Sequence, residues 1–402
     1  MSVAVKAEKP EARRPQMGLL FLLSWGHMVT DMAQGAIPAL LPVLKQAFAL
    51  SYTQTSLLVL VSNVASSVIQ PLFGYFADRR PARWLLPAGC LVAGLGLATC
   101  GRLPWFGVLL AAVALSSLGV AAYHPEGSRT ANLASGVRKG SGMAVFSVGG
   151  NLGFGLGSLF MAWLLTLGGP QNTVYFALPG MFTAAVMLLG WQRLASLKEE
   201  ARPREAAAGE GQRRGALAAF VMLLVYIIFR SWLHAGMYTY IPLYYTDYLR
   251  GDVHLAGYFV SVFLLAGAFG TLLGGPLTDL LGAPAVMAGS MGLLVPLIYL
   301  FPRIGGGPVL LALSAFIGAA LISTFSTTIV LGQQLLPRQK GLASGFTIGF
   351  GVGAGGVGVL LLGVLADHFG VPAVFTAMVG LACGGLLLAL VLVRRFRDLV
   401  RA

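Results

Sequence analysis

The sequence predicts an all-α integral membrane protein in which twelve transmembrane helices form two six-helix, pseudo-symmetric bundles. Of its 402 residues, 57% are hydrophobic and only 10% are charged. Soluble domains carry roughly 25% charged residues, so this composition indicates a chain that lies in a bilayer. The apolar runs are continuous and ~20 residues long, which fits spanning helices and excludes the short alternating strands of a membrane β-barrel.

The apolar runs fall into two sets of six, separated by a polar segment. They lie at about 17–44, 53–76, 84–101, 105–126, 140–166, 173–193, 215–245, 254–275, 284–302, 308–335, 341–365 and 370–393. Each is close to the length that a bilayer requires. The predicted domains are an N-terminal tail (1–16), a first bundle (17–193), a linker (194–214), a second bundle (215–393) and a C-terminal tail (394–402).

The distribution of basic residues predicts the orientation in the membrane. With a cytoplasmic N-terminus, the cytoplasmic segments hold 22 Lys and Arg residues, and the outer loops hold 4, namely Lys45, Arg102, Arg250 and Arg303. Lys and Arg are concentrated in cytoplasmic loops. We therefore expect both termini and the linker to be cytoplasmic, with the chain in the inner (plasma) membrane.

A charged turn separates the second and third apolar runs and is echoed in the second half. Three arginines follow Asp78 within five residues, and such charges are too costly to lie in hydrocarbon. At an offset of 201 residues, Gly74 matches Gly275 and Asp78 matches Asp279. Two parallel six-helix repeats of this kind are typical of secondary transporters, whose site lies at the repeat interface near the midplane.

This turn is expected to act as a cytoplasmic gate. Asp78 can meet the partial positive charge at the start of the eleventh helix, near Lys340. The residues assigned to the gate are Gly74, Asp78, Arg79, Arg83, Arg129 and Asp279.

Asp31 is the first candidate functional residue, because charges inside spanning helices are rare and costly. It lies about 14 residues into the first run, or about 21 Å at 1.5 Å per residue, and therefore near the midplane. His27 is one turn earlier on the same face, and Gln34 is close to that face. Desolvation favours the neutral form of a carboxylate, so Asp31 and His27 are candidates for proton coupling. The alternative is a structural polar pair that bonds to neighbouring helices.

Arg230 is the second candidate, near the middle of the seventh run, with His234 and Tyr238 following at four-residue spacing. A planar guanidinium suits phosphate or phosphonate oxygens, which predicts an anion-binding role. The alternatives are that Arg230 snorkels to the surface or is permanently paired with an acid such as Asp31. The predicted substrate-binding set is Arg230, His234, Tyr238, Gln34, Trp25 and Asn151.

His124, Glu126 and Arg129 form the third candidate group. Pro125 is expected to break or bend the fourth helix near its cytoplasmic end. Two interpretations remain open for this group. Either His124 and Glu126 handle protons in an inner cavity, or the group is a cytoplasmic latch in which Arg129 reaches Asp78.

Two motifs resemble those of a known family. Gly74-x-x-x-Asp78-Arg79-Arg80-x-x-Arg83 resembles the signature loop of the major facilitator superfamily. Gly150-Asn151-x-Gly153-x-Gly155-x-Gly157 resembles the glycine-rich fifth helix of its antiporter branch.

Three further stretches are similar to the fosmidomycin-resistance type of efflux protein. They are Trp25–Met32, Gln70–Tyr75 and Tyr123–Arg129. The resemblance implies proton-driven export of small molecules, with a phosphonate antibiotic as the known substrate type.

Taken together, these patterns predict a transporter, not an enzyme, with no cofactor and no metal site. The expected partners are a small-molecule substrate, protons and the lipid bilayer, with no nucleic acid, and the protein is expected to be a monomer. A proton-coupled importer of an organic anion is the alternative function. A non-transporting membrane sensor or membrane-embedded enzyme is the remote alternative.

Overall fold

The computed structural model of the chain describes residues 14–70, 72–73, 82–136, 139–197, 211–336, 343 and 346–401. Within these parts, twelve long helices follow one another. They are α1 (Met17–Phe48), α2 (Tyr52–Ser67), α3 (Leu85–Thr99), α4 (Phe106–Ala134), α5 (Lys139–Gly168), α6 (Ala177–Leu189), α7 (Gly211–Leu243), α8 (Ala256–Leu281), α9 (Ala283–Leu300), α10 (Pro308–Ile322 continued by Thr324–Leu335), α11 (Gly351–Phe369) and α12 (Val371–Arg401).

Many of these helices are long and apolar enough to cross a bilayer. In the described parts, eight helical stretches meet that standard by length and composition, and Leu85–Thr99 is a shorter apolar helix. Helices α1–α6 form one bundle and α7–α12 form the other, as the sequence predicts. The two bundles meet mainly where α2 packs on α11 and α5 packs on α8.

The fourth helix extends well beyond its predicted end. It continues to Ala134, eight residues beyond the predicted end, and Pro125 lies inside it. Proline removes one backbone N–H and normally bends or breaks a helix. The chain nevertheless stays helical here, and the residue that follows Pro125 is buried. This residue, Glu126, is only 1% exposed.

Glycine allows α1 and α5 to pack with their backbones in contact. A Cβ at Gly35 would overlap the backbone carbonyl of Phe154, and one at Gly153 would overlap that of Met28. Small residues are what permit such close approach between membrane helices. The glycine-rich stretch of α5 therefore holds this helix against the polar face of α1.

Tyr123 fixes α4 beside α1. Its hydroxyl donates a 2.6 Å hydrogen bond to the backbone carbonyl of Leu23. Its ring lies where any side chain at Gly26 would have to go. The neighbouring residue on α4, His124, is thereby brought to the middle of α1.

Candidate functional site

Asp31, His27 and His124 form a compact cluster, here called the proton cluster, between α1 and α4. One Asp31 oxygen lies 3.0 Å from Nε2 of His124, and the other lies 3.4 Å from Nε2 of His27. The two Nε2 atoms are 3.0 Å apart. The Asp31 and His124 side chains remain 14% and 22% exposed, so the cluster is not sealed. His124 therefore lies at mid-helix with Asp31, and its predicted place near the cytoplasmic end of the fourth helix is corrected.

The tautomer of His27 is set by α5. Its Nδ1 lies 2.9 Å from the carbonyl oxygen of Phe146, which can only accept a hydrogen bond. Nδ1 of the neutral ring therefore carries the proton, and Nε2 presents a lone pair to the cluster. The Phe146 ring stacks on the imidazole at 4.2 Å, and Gly150 leaves room for it.

The tautomer of His124 is set by Gln70 on the chain that follows α2. The Gln70 side-chain amide donates to the Ser66 carbonyl at 2.6 Å, which identifies its nitrogen. That nitrogen also lies 3.4 Å from Nδ1 of His124. Nδ1 then accepts, and Nε2 of His124 carries a proton that it donates to Nε2 of His27, with one Asp31 oxygen 3.0 Å from the same nitrogen. The hydrogen-bond network thus places one proton among the Asp31 carboxylate, Nε2 of His27 and Nε2 of His124.

The same three residues also have the donor types of a metal site. Their ligand atoms all lie within 4.8 Å of one another, and two imidazoles with a carboxylate are familiar zinc ligands. A metal-bound histidine, however, usually donates its other ring N–H to an acceptor. His27 meets this condition through Phe146, whereas His124 faces the amide donor of Gln70. The Gln70 contact is therefore a feature that does not suit a metal ligand.

Arg230 lies in the second bundle and is buried, with 3% exposure. Its Nη1 donates to the hydroxyl of Thr328 at 2.9 Å and to the carbonyl of Thr324 at 3.3 Å. The guanidinium stacks 3.9 Å above the ring of Phe325. Nε has no hydrogen-bond partner, and no carboxylate among the described residues is within ion-pair distance. Asp31 lies beside the two histidines instead, so the alternative of a permanent Asp31–Arg230 pair is not seen in this conformation.

His234 and Tyr238 continue the same face of α7 towards the first bundle. His234 lies 5.1 Å from the rings of both Tyr238 and Phe325. The Tyr238 hydroxyl accepts a 3.0 Å hydrogen bond from the Asn63 amide on α2. Gln34 donates to Ser66 at 3.1 Å. Gln34, Asn63 and Tyr238 border a space with room for roughly one water molecule.

Glu126 and Arg129 are separated from the proton cluster. The Glu126 carboxylate lies 3.5 Å from Nη1 of Arg129 and accepts a hydrogen bond from Thr130 at 3.3 Å. It also lies against the backbone of Ala82, just before the third helix. Residues two apart on a helix do not share a face, so His124 and Glu126 belong to different sites.

The structure describes only part of the predicted gate. Gly74, Asp78 and Arg79 lie outside the described residues. Arg83 is buried and donates to the backbone carbonyls of Ala195 and Leu197, at the start of the predicted linker. Asp279 is exposed within α8.

Two residues of the predicted substrate-binding set lie away from both the proton cluster and the residues around Arg230. Trp25 is 45% exposed, and its ring N–H donates to the Thr183 hydroxyl on α6 at 3.0 Å. Asn151 is exposed on α5. Conversely, Gln70 and Thr328 contribute to the clusters and are absent from the predicted sites. Gln70 is part of a recognisable motif, but nothing in its spacing indicates contact with a histidine of α4.

Comparison with known proteins places the chain in a family. The family model described as "Major Facilitator Superfamily" matches residues 23–347 and 237–400. The chain is 32% identical over 401 residues to the "Fosmidomycin resistance protein" of Escherichia coli (strain K12), covering 98% of both chains. It is 33% identical over 398 residues to the "Uncharacterized MFS-type transporter YfnC" of Bacillus subtilis (strain 168), covering 96% of both.

Solved structures show the same fold at much lower sequence identity. A bacterial homologue of the human lysosomal transporter Spinster, in an inward-facing and unoccupied conformation, matches with a TM-score of 0.78 and 15% identity, covering 95% of this chain and 98% of that one. A mutant form of the peptide transporter POT, in complex with sulfate, matches with a TM-score of 0.75 and 15% identity, covering 96% of this chain and 95% of that one.

These matches define a multi-pass membrane transporter that acts on a small-molecule substrate. The chain belongs to the major facilitator superfamily, and its full-length similarity is to transporters of the fosmidomycin-resistance type.

Proposed function

We propose that the protein is a proton-coupled antiporter that exports a small anionic or amphiphilic compound, similar to fosmidomycin, by alternating access. The proton cluster is the observation that carries this proposal. In the proposed arrangement, the protein is a monomer in the inner membrane with both ends cytoplasmic. Its two bundles (17–193 and 215–393) are joined by the linker at 194–214.

The proton cluster is suited to bind and release one proton. The network directs the Nε2 proton of His124 at the free Nε2 of His27, and one Asp31 oxygen lies 3.0 Å from the same His124 nitrogen. A proton that enters the cluster neutralises Asp31, which is otherwise a charge held in a membrane-embedded site at considerable cost. Losing that proton restores the charge. The cluster therefore has two protonation states with different electrostatic costs, which an ion-coupled transporter requires.

Arg230 is the proposed site for the anionic group of the substrate. A buried cation without a carboxylate partner is unfavourable, and here it is only partly compensated by Thr328, Thr324 and Phe325. Phosphonate or carboxylate oxygens bound at its free Nε would complete its hydrogen bonding. His234 and Tyr238 lie on the same face of α7 and extend this site towards α2.

Glu126 and Arg129 are better explained as part of the cytoplasmic latch than as proton carriers. Glu126 lies against Ala82, a few residues after Asp78 in the sequence, and the neighbouring Arg83 donates to the carbonyl of Ala195 at the start of the linker. The proposed proton path accordingly uses Asp31, His27 and His124, and leaves Glu126 out.

The test is the flux of labelled fosmidomycin into proteoliposomes under an imposed pH gradient. An antiporter accumulates the drug when the interior is acidic, because protons leave as drug enters. A symporter, the alternative function, accumulates it only when the exterior is acidic.

Asp31→Asn should abolish the gradient-driven part of the flux, because an amide cannot take up and release the proton. The matched control is Asp252→Asn, which removes an exposed loop carboxylate. This carboxylate accepts a hydrogen bond from the backbone N–H of His254. Absence of flux under either gradient would overturn the substrate assignment. Gradient-driven flux that persists in Asp31→Asn would overturn the proton role.

A further inference from the structure

Asp367 joins the two bundles by capping a helix that belongs to the other one. It lies in the last turn of α11, and its carboxylate accepts hydrogen bonds from the backbone N–H groups of Tyr52 and Thr53 at 2.7 and 2.9 Å. The Thr53 hydroxyl donates to the same carboxylate at 2.5 Å. Tyr52 and Thr53 are the first two residues of α2, whose N–H groups have no partner within their own helix.

The position of Asp367 is explained by α2 and not by its own helix. A carboxylate at a helix C-terminus is disfavoured by the helix dipole, whereas one at an N-terminus is favoured. Asp367 lies at the C-terminus of α11, where its charge is unfavourable, and at the N-terminus of α2, where its charge is favourable. Its electrostatic benefit therefore exists only while the ends of α2 and α11 are together.

Asp247 makes a second bridge at the same end of the molecule. Just after α7, its carboxylate lies 3.0 Å from Nζ of Lys45 on α1 and accepts a 2.8 Å hydrogen bond from the Tyr52 hydroxyl. The Lys45 ammonium also lies 4.4 Å from the centre of the Tyr52 ring. Tyr52 thus contacts both carboxylates, one through its N–H and the other through its hydroxyl.

We propose that Asp367 and Asp247 form an outer latch that holds this end of the transporter closed and must release Tyr52 and Thr53 when the end opens. The inference rests on the proposed alternating-access function. The same pair of helices extends from this end towards the loop that contains Asp78, which is expected to face the start of α11. Helices α2 and α11 would then carry one carboxylate-to-helix contact at each end, and opening either end would break the contact there.

The latch can be tested without unfolding α2. Ser51 and Gln54 already form a reciprocal cap, with hydrogen bonds of 3.2 Å (Gln54 N–H to the Ser51 hydroxyl) and 3.0 Å (Ser51 N–H to the Gln54 side chain). Removing the charge of Asp367 leaves that cap in place. Loss of the Asp367 charge should therefore weaken the contact between the two bundles and leave helix α2 intact.

The experiment measures the separation of the two bundles directly. Spin labels at Arg102→Cys and Gly305→Cys, in a background without Cys383, report the distance between one loop of each bundle at this end by pulsed electron paramagnetic resonance. Asp367→Asn should increase the ratio of long-distance to short-distance states by about 5-fold, as expected for loss of roughly 1 kcal/mol from an exposed charged contact. Asp247→Asn should shift the distribution in the same direction, and Asp252→Asn should not.

The outcomes separate the latch from the proposed function. An unchanged distance distribution in Asp367→Asn, Asp247→Asn and the double variant would overturn the latch, even if transport is proton-driven. A shifted distribution in a protein whose transport proves independent of protons would support the latch and overturn the antiport proposal. A melting temperature close to that of the unmodified protein in each variant would show that a shift is not due to unfolding.

Discussion

At the scale of single residues, the proton cluster depends on neighbours that fix two imidazole tautomers. Phe146 directs the His27 lone pair inwards, and Gln70 directs the His124 proton inwards. Asp31 lies within 3.0–3.4 Å of both rings. The role of Asp31 therefore depends on residues that neither carry charge nor touch the proton.

Gln70→Met tests this positioning role. Methionine has a similar length but cannot donate to Nδ1 of His124, so the ring can adopt the other tautomer. We expect gradient-driven transport to persist with a displaced pH profile, measured as initial flux against external pH. Gln192→Met, at an exposed position on the first bundle, is the control and should leave the profile unchanged. A Gln70→Met profile that overlays that of the unmodified protein would contradict the tautomer assignment.

Arg230→Met separates binding from stability. Removing a buried, incompletely paired cation should leave the melting temperature unchanged or raise it. Substrate affinity should fall about 10- to 100-fold, since hydrogen bonds to charged groups are worth roughly 1.5–3 kcal/mol. Equilibrium binding of fosmidomycin and thermal unfolding in detergent measure the two effects. A large drop in melting temperature with unchanged affinity would instead assign Arg230 a structural role.

At the scale of helices, the contact between α1 and α5 determines whether the cluster can form. Gly35→Ala would push a methyl group into the backbone of Phe154, which cannot move without shifting α5. We expect a loss of roughly 1–3 kcal/mol of stability, measured as a lower melting temperature in detergent. Gly18→Ala, on the same helix with nothing within 4 Å of the added carbon, is the matched control. Equal melting temperatures for the two variants would contradict the close-packed interface.

The neighbours that each face of a helix contacts are harder to predict from sequence than the helix itself. His27 and Asp31 can be placed on one face because they are four residues apart on a single helix. The contact with His124 cannot be foreseen, since it depends on how α4 packs on α1 through Tyr123. The contact of Trp25 with Thr183 on α6 cannot be foreseen either, because it too depends on how two helices pack.

At the scale of the whole molecule, sequence is sufficient for the architecture. The repeat, the twelve apolar runs and the sparse charges predict two six-helix bundles, and the fold confirms this. Prolines are less reliable as markers of helix ends, because Pro125 lies inside a continuous α4. The contacts of Asp367 across the two bundles join residues more than 300 positions apart, and no local pattern could reveal them.

The central claim is that one proton of the proton cluster is exchanged for substrate. Substrate-induced proton release tests this claim most directly. Purified protein in weakly buffered detergent solution would be mixed with fosmidomycin while the pH is recorded. The unmodified protein should release protons in proportion to the substrate bound, and Asp31→Asn should bind substrate without releasing any. Substrate binding with no release from the unmodified protein, or equal release from Asp31→Asn, would contradict the claim.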